Sequence, residues 1–274
     1  MKLKAAIIDL YNNEPNEGMR CIQDLLKEAD KRFENTNLDY KIYETRYKDE
    51  IPNIDYDIFI SSGGPGDPFE GLGSSWENKY FNLLVNIWSN NQNISNRKKY
   101  IFFICHSFQM MVRYFELGKV VERESRSFGI VPVFKTKEGE KDQILGGLGN
   151  PFLAADFRNY QAIQPNRERF EELGAELLCI EDHHAHDANL ERAMMAIKIS
   201  DEIFASQFHP EADPASMNYH FKQPNKQQEV IEEYGEEKLK IMLDRLETPE
   251  NITLTRNTVI PNFLNKAINE LGES

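Results

Sequence analysis

Long apolar runs are missing from this sequence. Nowhere do about 18 apolar residues follow one another, so no membrane-spanning helix is predicted. Cysteine is scarce: Cys21, Cys105 and Cys179 are an odd number at wide spacing. That excludes a disulfide framework and predicts a reducing, cytoplasmic compartment. Positive charge is in deficit, with 32 Lys and Arg against 45 Asp and Glu, a formal net charge of −13. A nucleic-acid binder needs a basic face, and the one local cluster, NRKK at 96–99, reads as a solvated loop. The N-terminal MKLKAAIIDLYNNE carries two lysines and a short apolar run. Asp9 interrupts that run and no small-residue cleavage site follows, so it reads as a first strand rather than a secretory signal. Internal repeats and low-complexity tracts are absent as well.

What is present is a globular composition, 40% apolar and 11% aromatic over 274 residues. That is enough to bury a full core in one large domain plus an appendage. Strand-like and helix-like segments alternate. Leu3 to Leu10 reads as a strand buried on both faces, and Met19, Ile22, Leu25, Leu26, Ala29 and Phe33 fall at helical spacing. Residues 40–44, 56–61 and 100–104 read as further strands. Ser74 with Glu77 forms a capping box for a helix beginning near Trp76, and Gly118 is placed to cap the helix that follows Cys105. Alternation of this kind predicts an α/β, doubly wound, mostly parallel sheet. Beyond Gly118 the strand-like segments GIVPVF, ELLCI, AMMAIKI and IFASQF have short links, which predicts a small antiparallel portion. From about Ala215 the chain turns polar and acidic. A helix is expected over 226–247 and a last one from Pro261 to Gly272, so the chain divides into 1–215 and a helical appendage, 216–274.

Three stretches carry chemistry. The first is FFICHSFQMM, Phe102 to Met111, where Cys105 stands between a buried strand and a helix. Open α/β sheets place their sites at this edge, and a helix N-terminus stabilises a thiolate. The second is FHPE, Phe208 to Glu211. If the chain stays extended through Pro210, His209 and Glu211 project to one side, a base beside the carboxylate that orients it. The third is SSGGPGDP, Ser61 to Pro68, where Gly63 and Gly64 let backbone amides approach an oxyanion. This loop lacks the GK[ST] ending of a phosphate loop and the serine of an ATP-pyrophosphatase loop.

In that order, SGGPGDP, FICHSFQ and FHPE resemble the oxyanion loop, the nucleophile turn and the H-P-E of the class I, triad-type glutamine amidotransferases, over roughly residues 3–215. The resemblance implies a flavodoxin-like amidotransferase domain. It implies that Cys105 attacks the γ-amide of glutamine to form a thioester, that His209 moves protons and that Glu211 orients His209. Gly64 and the amide of His106 match oxyanion-hole positions, with Gly63 beside them, and Gln109 matches a residue that holds the substrate's amino-acid end. FRNYQAI, Phe157 to Ile163, resembles a γ-glutamyl-hydrolase segment and implies substrate contact near Tyr160 and Gln161. No cofactor and no metal are implied.

Two positions depart from the pattern. Phe103 and Ser107 stand where the nucleophile turn of the resembled family has glycines; Ser107 is small, whereas Phe103 is bulky. Phe103 is expected on the same side as Cys105, so either the helix is displaced or the ring finds its own pocket. His106 is expected to be a solvated first-turn residue. EDHHAHD, Glu181 to Asp187, reads as an exposed loop rather than a metal site, and Cys21 and Cys179 read as core. The expected partners are glutamine or a γ-glutamyl small molecule and a separate ammonia-accepting synthetase subunit. A homodimer is compatible with the sequence, while nucleic acid and membrane are not expected. Two other readings stay open: a γ-glutamyl hydrolase, and a non-catalytic binding or regulatory module that keeps the fold.

Overall fold

A computed structural model describes residues 1–182, 191–221, 223–246 and 250–273. Among these, nine strands form one sheet. In chain order they are β1 (Lys2–Asp9), β2 (Asn37–Glu44), β3 (Ile58–Ser61), β4 (Tyr100–Ile104), β5 (Lys119–Lys135), β6 (Phe152–Ile163), β7 (Glu176–Glu181), β8 (Met194–Ser200) and β9 (Ile203–Ser206). The sheet order is β2-β1-β3-β4-β9-β8-β7-β5-β6. The pairings from β2 to β9 are parallel and those from β9 to β6 antiparallel. The α/β, doubly wound class is therefore as expected. The antiparallel part is more extensive than its short links suggest, because β5 spans 17 residues and β6 spans 12. β6 lies where only FRNYQAI had been singled out.

Helices α1 (Gly18–Arg32), α3 (Ser75–Gln92) and α4 (His106–Phe115) alternate with the parallel strands, and α2 (Thr45–Lys48) is a single turn. Ser74 caps α3, its side chain accepting from the Glu77 amide, as the capping box predicts. The strands are buried on both faces, so odd and even residues feed separate cores. Leu3, Ala5, Ile7, Phe102 and Ile104 pack with α1 on one side, while Ala6, Ile8, Ile101 and Phe103 pack with α3 and α4 on the other. Short α5 (Lys137–Lys141) and α6 (Arg167–Leu173) lie in the antiparallel half. Helix α4 ends earlier than Gly118, at Glu116 in the left-handed region. Gly118 instead permits close approach, since a Cβ there would sit 2.7 Å from the Ile163 carbonyl oxygen.

The C-terminal segment differs most from expectation. The helix predicted over 226–247 is two, α8 (Pro224–Tyr234) and α9 (Glu236–Leu246), broken at Gly235 with φ of 83°. A β-carbon disfavours that φ, so the chain turns where it carries none. With α7 (Pro214–Phe221) these helices pack on β5 and β6 through Phe128, Ile130, Ala155, Met217, Phe221, Val230 and Leu239. The last helix, α10 (Glu250–Glu273), holds Pro261 inside it rather than at its start. Its Val259, Ile260, Phe263, Leu264, Ala267, Ile268 and Leu271 lie in the same buried cluster as α1 and β4. An apolar face recurring at helical spacing thus covers the sheet beside α1. No described helix is long and apolar enough to cross a membrane. The EDHHAHD reading falls mostly on 183–187, outside the described residues.

Candidate active site

The parallel strands reverse order between β1 and β3, which opens a crevice at their carboxyl ends. Tyr11, Gly63, Cys105 and His209 follow β1, β3, β4 and β9 and meet there. Cys105 is the N-terminal boundary residue of α4, at φ 49° and ψ −98°. This strained left-handed turn is rare for a residue with a side chain. It also breaks the strand alternation. Cys105 packs with Phe102 and Ile104, whereas Phe103 lies in the opposite core against α4. The expectation that Phe103 shares the cysteine's side is therefore wrong, because the strand ends at Ile104 and Cys105 no longer follows its pleat. The ring belongs to the core shared with α3 and α4.

Ser107 closes the turn. Its buried hydroxyl accepts from the Ile104 amide at 2.8 Å and lies 2.8 Å from the Ser61 carbonyl oxygen, which can take its proton. The side chain thereby joins the ends of β3 and β4, a bond the expected glycine could not make. Ser107→Ala removes the hydroxyl that bonds both backbone groups, and should cost about 1 kcal/mol. Urea denaturation checks this, and an unchanged midpoint would remove the hydroxyl from the turn.

His209 reaches the site from a turn, not from an extended strand. Its amide donates to the Ala155 carbonyl at 2.8 Å, and the Ala212 amide turns back to the His209 carbonyl at 3.3 Å. The turn still achieves the expected pairing, with Nδ1 of His209 2.8 Å from Oε1 of Glu211. With Nδ1 engaged by Glu211, Nε2 is the ring nitrogen left to serve the Cys105 sulfur. Burial works against a charged ring, but the charges of Glu211 and Cys105 and the hydrogen bond to Glu211 outweigh it. They hold the His209 pKa well above its ordinary value.

The glycine loop lies against this pair. A Cβ on Gly63 would stand 2.9 Å from Cε1 of His209 and 3.6 Å from the Cys105 Cβ. Gly64 faces the other way, where a Cβ would meet the Leu10 carbonyl oxygen at 2.3 Å. Arg46 clamps the loop to β1, donating to the Leu10 carbonyl at 2.9 Å and the Pro65 carbonyl at 2.7 Å, and it pairs with Glu70. His106 is not solvated. It is 2% exposed, and its Nε2 has no hydrogen-bond partner. Burial, with the nearby charges of Arg46 and Arg113, pushes its pKa down to about 3, so the ring is neutral.

Gln109 lies beneath the cysteine, donating to the Tyr160 carbonyl at 3.1 Å and to Gln207 at 3.1 Å. Burial raises the Tyr160 pKa, and the nearby Asp67 of the glycine loop raises it further. Gln161 turns aside and accepts from Arg123. The sulfur is enclosed. Cys105 is 4% exposed, and its Sγ donates to the Phe157 carbonyl at 3.7 Å. The Phe157 ring lies 5.9 Å from the His209 ring and 5.0 Å from that of Phe128. Cys21 and Cys179 are buried elsewhere, as expected, with thiol pKa values raised by burial, that of Cys21 to about 12.

Sequence reasoning missed Tyr11, Arg46 and Gln207. Tyr11 is the second residue beyond β1 at the switch point, which was a usable signal. Gln207 stands two residues before His209, and counting back by two would have found it. Arg46 had no local signal.

None of the curated proteins matches this sequence. Among solved structures, the chain is similar to a glutamine amidotransferase of Thermotoga maritima, with TM-score 0.62, 15% identity and 99% of each chain covered. It is also similar to a glutamine amidotransferase of Methylobacillus flagellatus, with TM-score 0.60, 14% identity and 98% of this chain and 95% of that one covered. A third is the glutaminase domain of CTPS from Trypanosoma brucei with bound acivicin, with TM-score 0.58, 12% identity and 97% and 94% covered. The profile of the class-I glutamine amidotransferases matches residues 21–224, and the chain belongs to that family.

Proposed function

We propose that the protein hydrolyses the γ-carboxamide of glutamine and that the ammonia passes to an acceptor enzyme. The observation that carries this is the convergence of Cys105, in its positive-φ turn, with the Glu211-bound ring of His209 against Gly63. Cys105 is the nucleophile. With its proton on His209, its sulfur bonds to the amide carbon and the carbonyl electron pair moves to the oxygen. The amides of His106 and Gly64 hold the oxyanion. Collapse breaks the C–N bond while His209 delivers its proton to the departing ammonia. Water then attacks the thioester with His209 as base, and glutamate leaves. Glu211 keeps the ring oriented through both steps. Gln109 spends its amide hydrogens inside the protein, so its Oε1 is what it offers to the substrate's ammonium group. The described elements form one fold with its covering helices, so the acceptor belongs to another polypeptide or to further chain.

The test has two arms. Ammonia and glutamate are measured from glutamine, and from a chromogenic γ-glutamyl anilide to separate amidase from γ-glutamyl hydrolase. An electrophilic glutamine analogue is then expected to add one equivalent to the Cys105 peptide, and nothing to Cys105→Ser. A folded protein that neither releases ammonia nor takes the label on Cys105 would leave the binding-module reading in its place.

A further inference from the structure

Gln207 follows β9 and is fully buried. Its main-chain amide donates to the Met195 carbonyl at 2.8 Å, which fixes the backbone. The two ends of a glutamine amide look alike, so its orientation must come from its neighbours. Here they decide it. The Tyr160 carbonyl can only accept, so the Gln109 atom 3.1 Å from it is the NH2. That same nitrogen lies 3.1 Å from the Gln207 side chain, and the atom facing a donor must be Oε1. The NH2 of Gln207 is thereby turned to the Cys105 sulfur, 3.6 Å away.

We propose that Gln207 is a further catalytic residue, its side-chain N–H donating to the Cys105 sulfur, and that Gln109 is the positioning residue that orients it. The proposal rests on reading Cys105 as the nucleophile. Two neighbours pull the sulfur in opposite directions. The Phe157 carbonyl accepts the S–H and favours the thiol. The Gln207 amide favours the thiolate, because a bond to a charged acceptor is stronger than one to a neutral acceptor. Once the proton has moved to His209, the first contact is lost and the second strengthens. The same donor serves when the thioester opens. The water oxygen bonds to the acyl carbon and its proton goes to His209. The C–S bond then breaks with its electron pair left on sulfur, beside Gln207.

The test is the pH profile of Cys105 alkylation by iodoacetamide on the full chain, read by peptide mass. Gln207→Met keeps the side chain's length and adds no charge but has no donor, and Gln207→Leu likewise removes the donor. In each the half-maximal pH should rise by about one unit and the rate at pH 7 fall about tenfold. Gln109→Leu, which does not touch the sulfur, should shift the profile the same way by less. A folded Gln207→Met protein with the wild-type profile overturns the proposal, whether or not the leucine variant folds. Iodoacetamide makes no use of glutamine. Missing ammonia release would therefore remove the glutaminase reading while leaving this result standing.

Discussion

With asparagine in place of His209, ammonia release from glutamine is expected to fall about a thousandfold, the scale of a lost general acid and base. Asparagine is close in size and can still bond to Glu211, but it cannot carry a proton between sulfur, ammonia and water. The same variant reports on charge. The folded-state pKa of His209 is raised, because Glu211 and Cys105 outweigh the cost of burial. A raised histidine contributes stability that is fully present below its unfolded pKa of about 6.5, and loses it as the pH climbs through the higher folded value. The stability gap between wild type and His209→Asn, from urea unfolding, should therefore narrow as pH rises from 6 to 9. A gap that stays constant over that range would mean that the ring is not held charged.

The second large effect is on stability and lies far from the sulfur. Phe263→Ala is expected to cost about 3–5 kcal/mol, the usual range for emptying a buried phenylalanine site. Its ring is fully buried on α10 and meets Phe102 edge-on at 5.3 Å and Tyr100 at 6.4 Å, both on β4. At about 2–4 °C per kcal/mol for a chain of this size, the melting temperature should fall by roughly 10 °C. Ile241→Ala on α9 is the control, since that side chain is 41% exposed and should change little. If Phe263→Ala costs no more than Ile241→Ala, α10 does not hold the sheet.

The contrast between α9 and α10 shows where the sequence spoke clearly. Residues buried on both faces of β1, β3 and β4 announced themselves as short apolar runs, and Ser74 with Glu77 announced a helix start. The pairing of His209 with Glu211 was legible, but for the wrong reason. A two-residue spacing fits an extended chain, and the structure makes the pair with a turn at Pro210. Phe103 was misplaced because strand alternation was carried one residue too far, across a backbone reversal that only tertiary packing imposes. β6 went unread as a strand because its alternation is masked by Asp156 and Arg158, buried as an ion pair. Buried charge looks like surface until its partner is known. In the C-terminal segment, Pro261 was taken as a helix start because proline is favoured there, yet the packing of α10 on β4 tolerates it in the interior.

The enclosure of Cys105 sets a limit on apparent affinity. Cys105 is 4% exposed and its sulfur lies 3.7 Å from the Phe157 carbonyl oxygen, so if a substrate needs this enclosure to open, only the open fraction of molecules binds it. For an open population of roughly one in a hundred, the measured dissociation constant is about a hundredfold weaker than the intrinsic one. Any protein that binds the open form in preference recovers that factor without touching the chemistry.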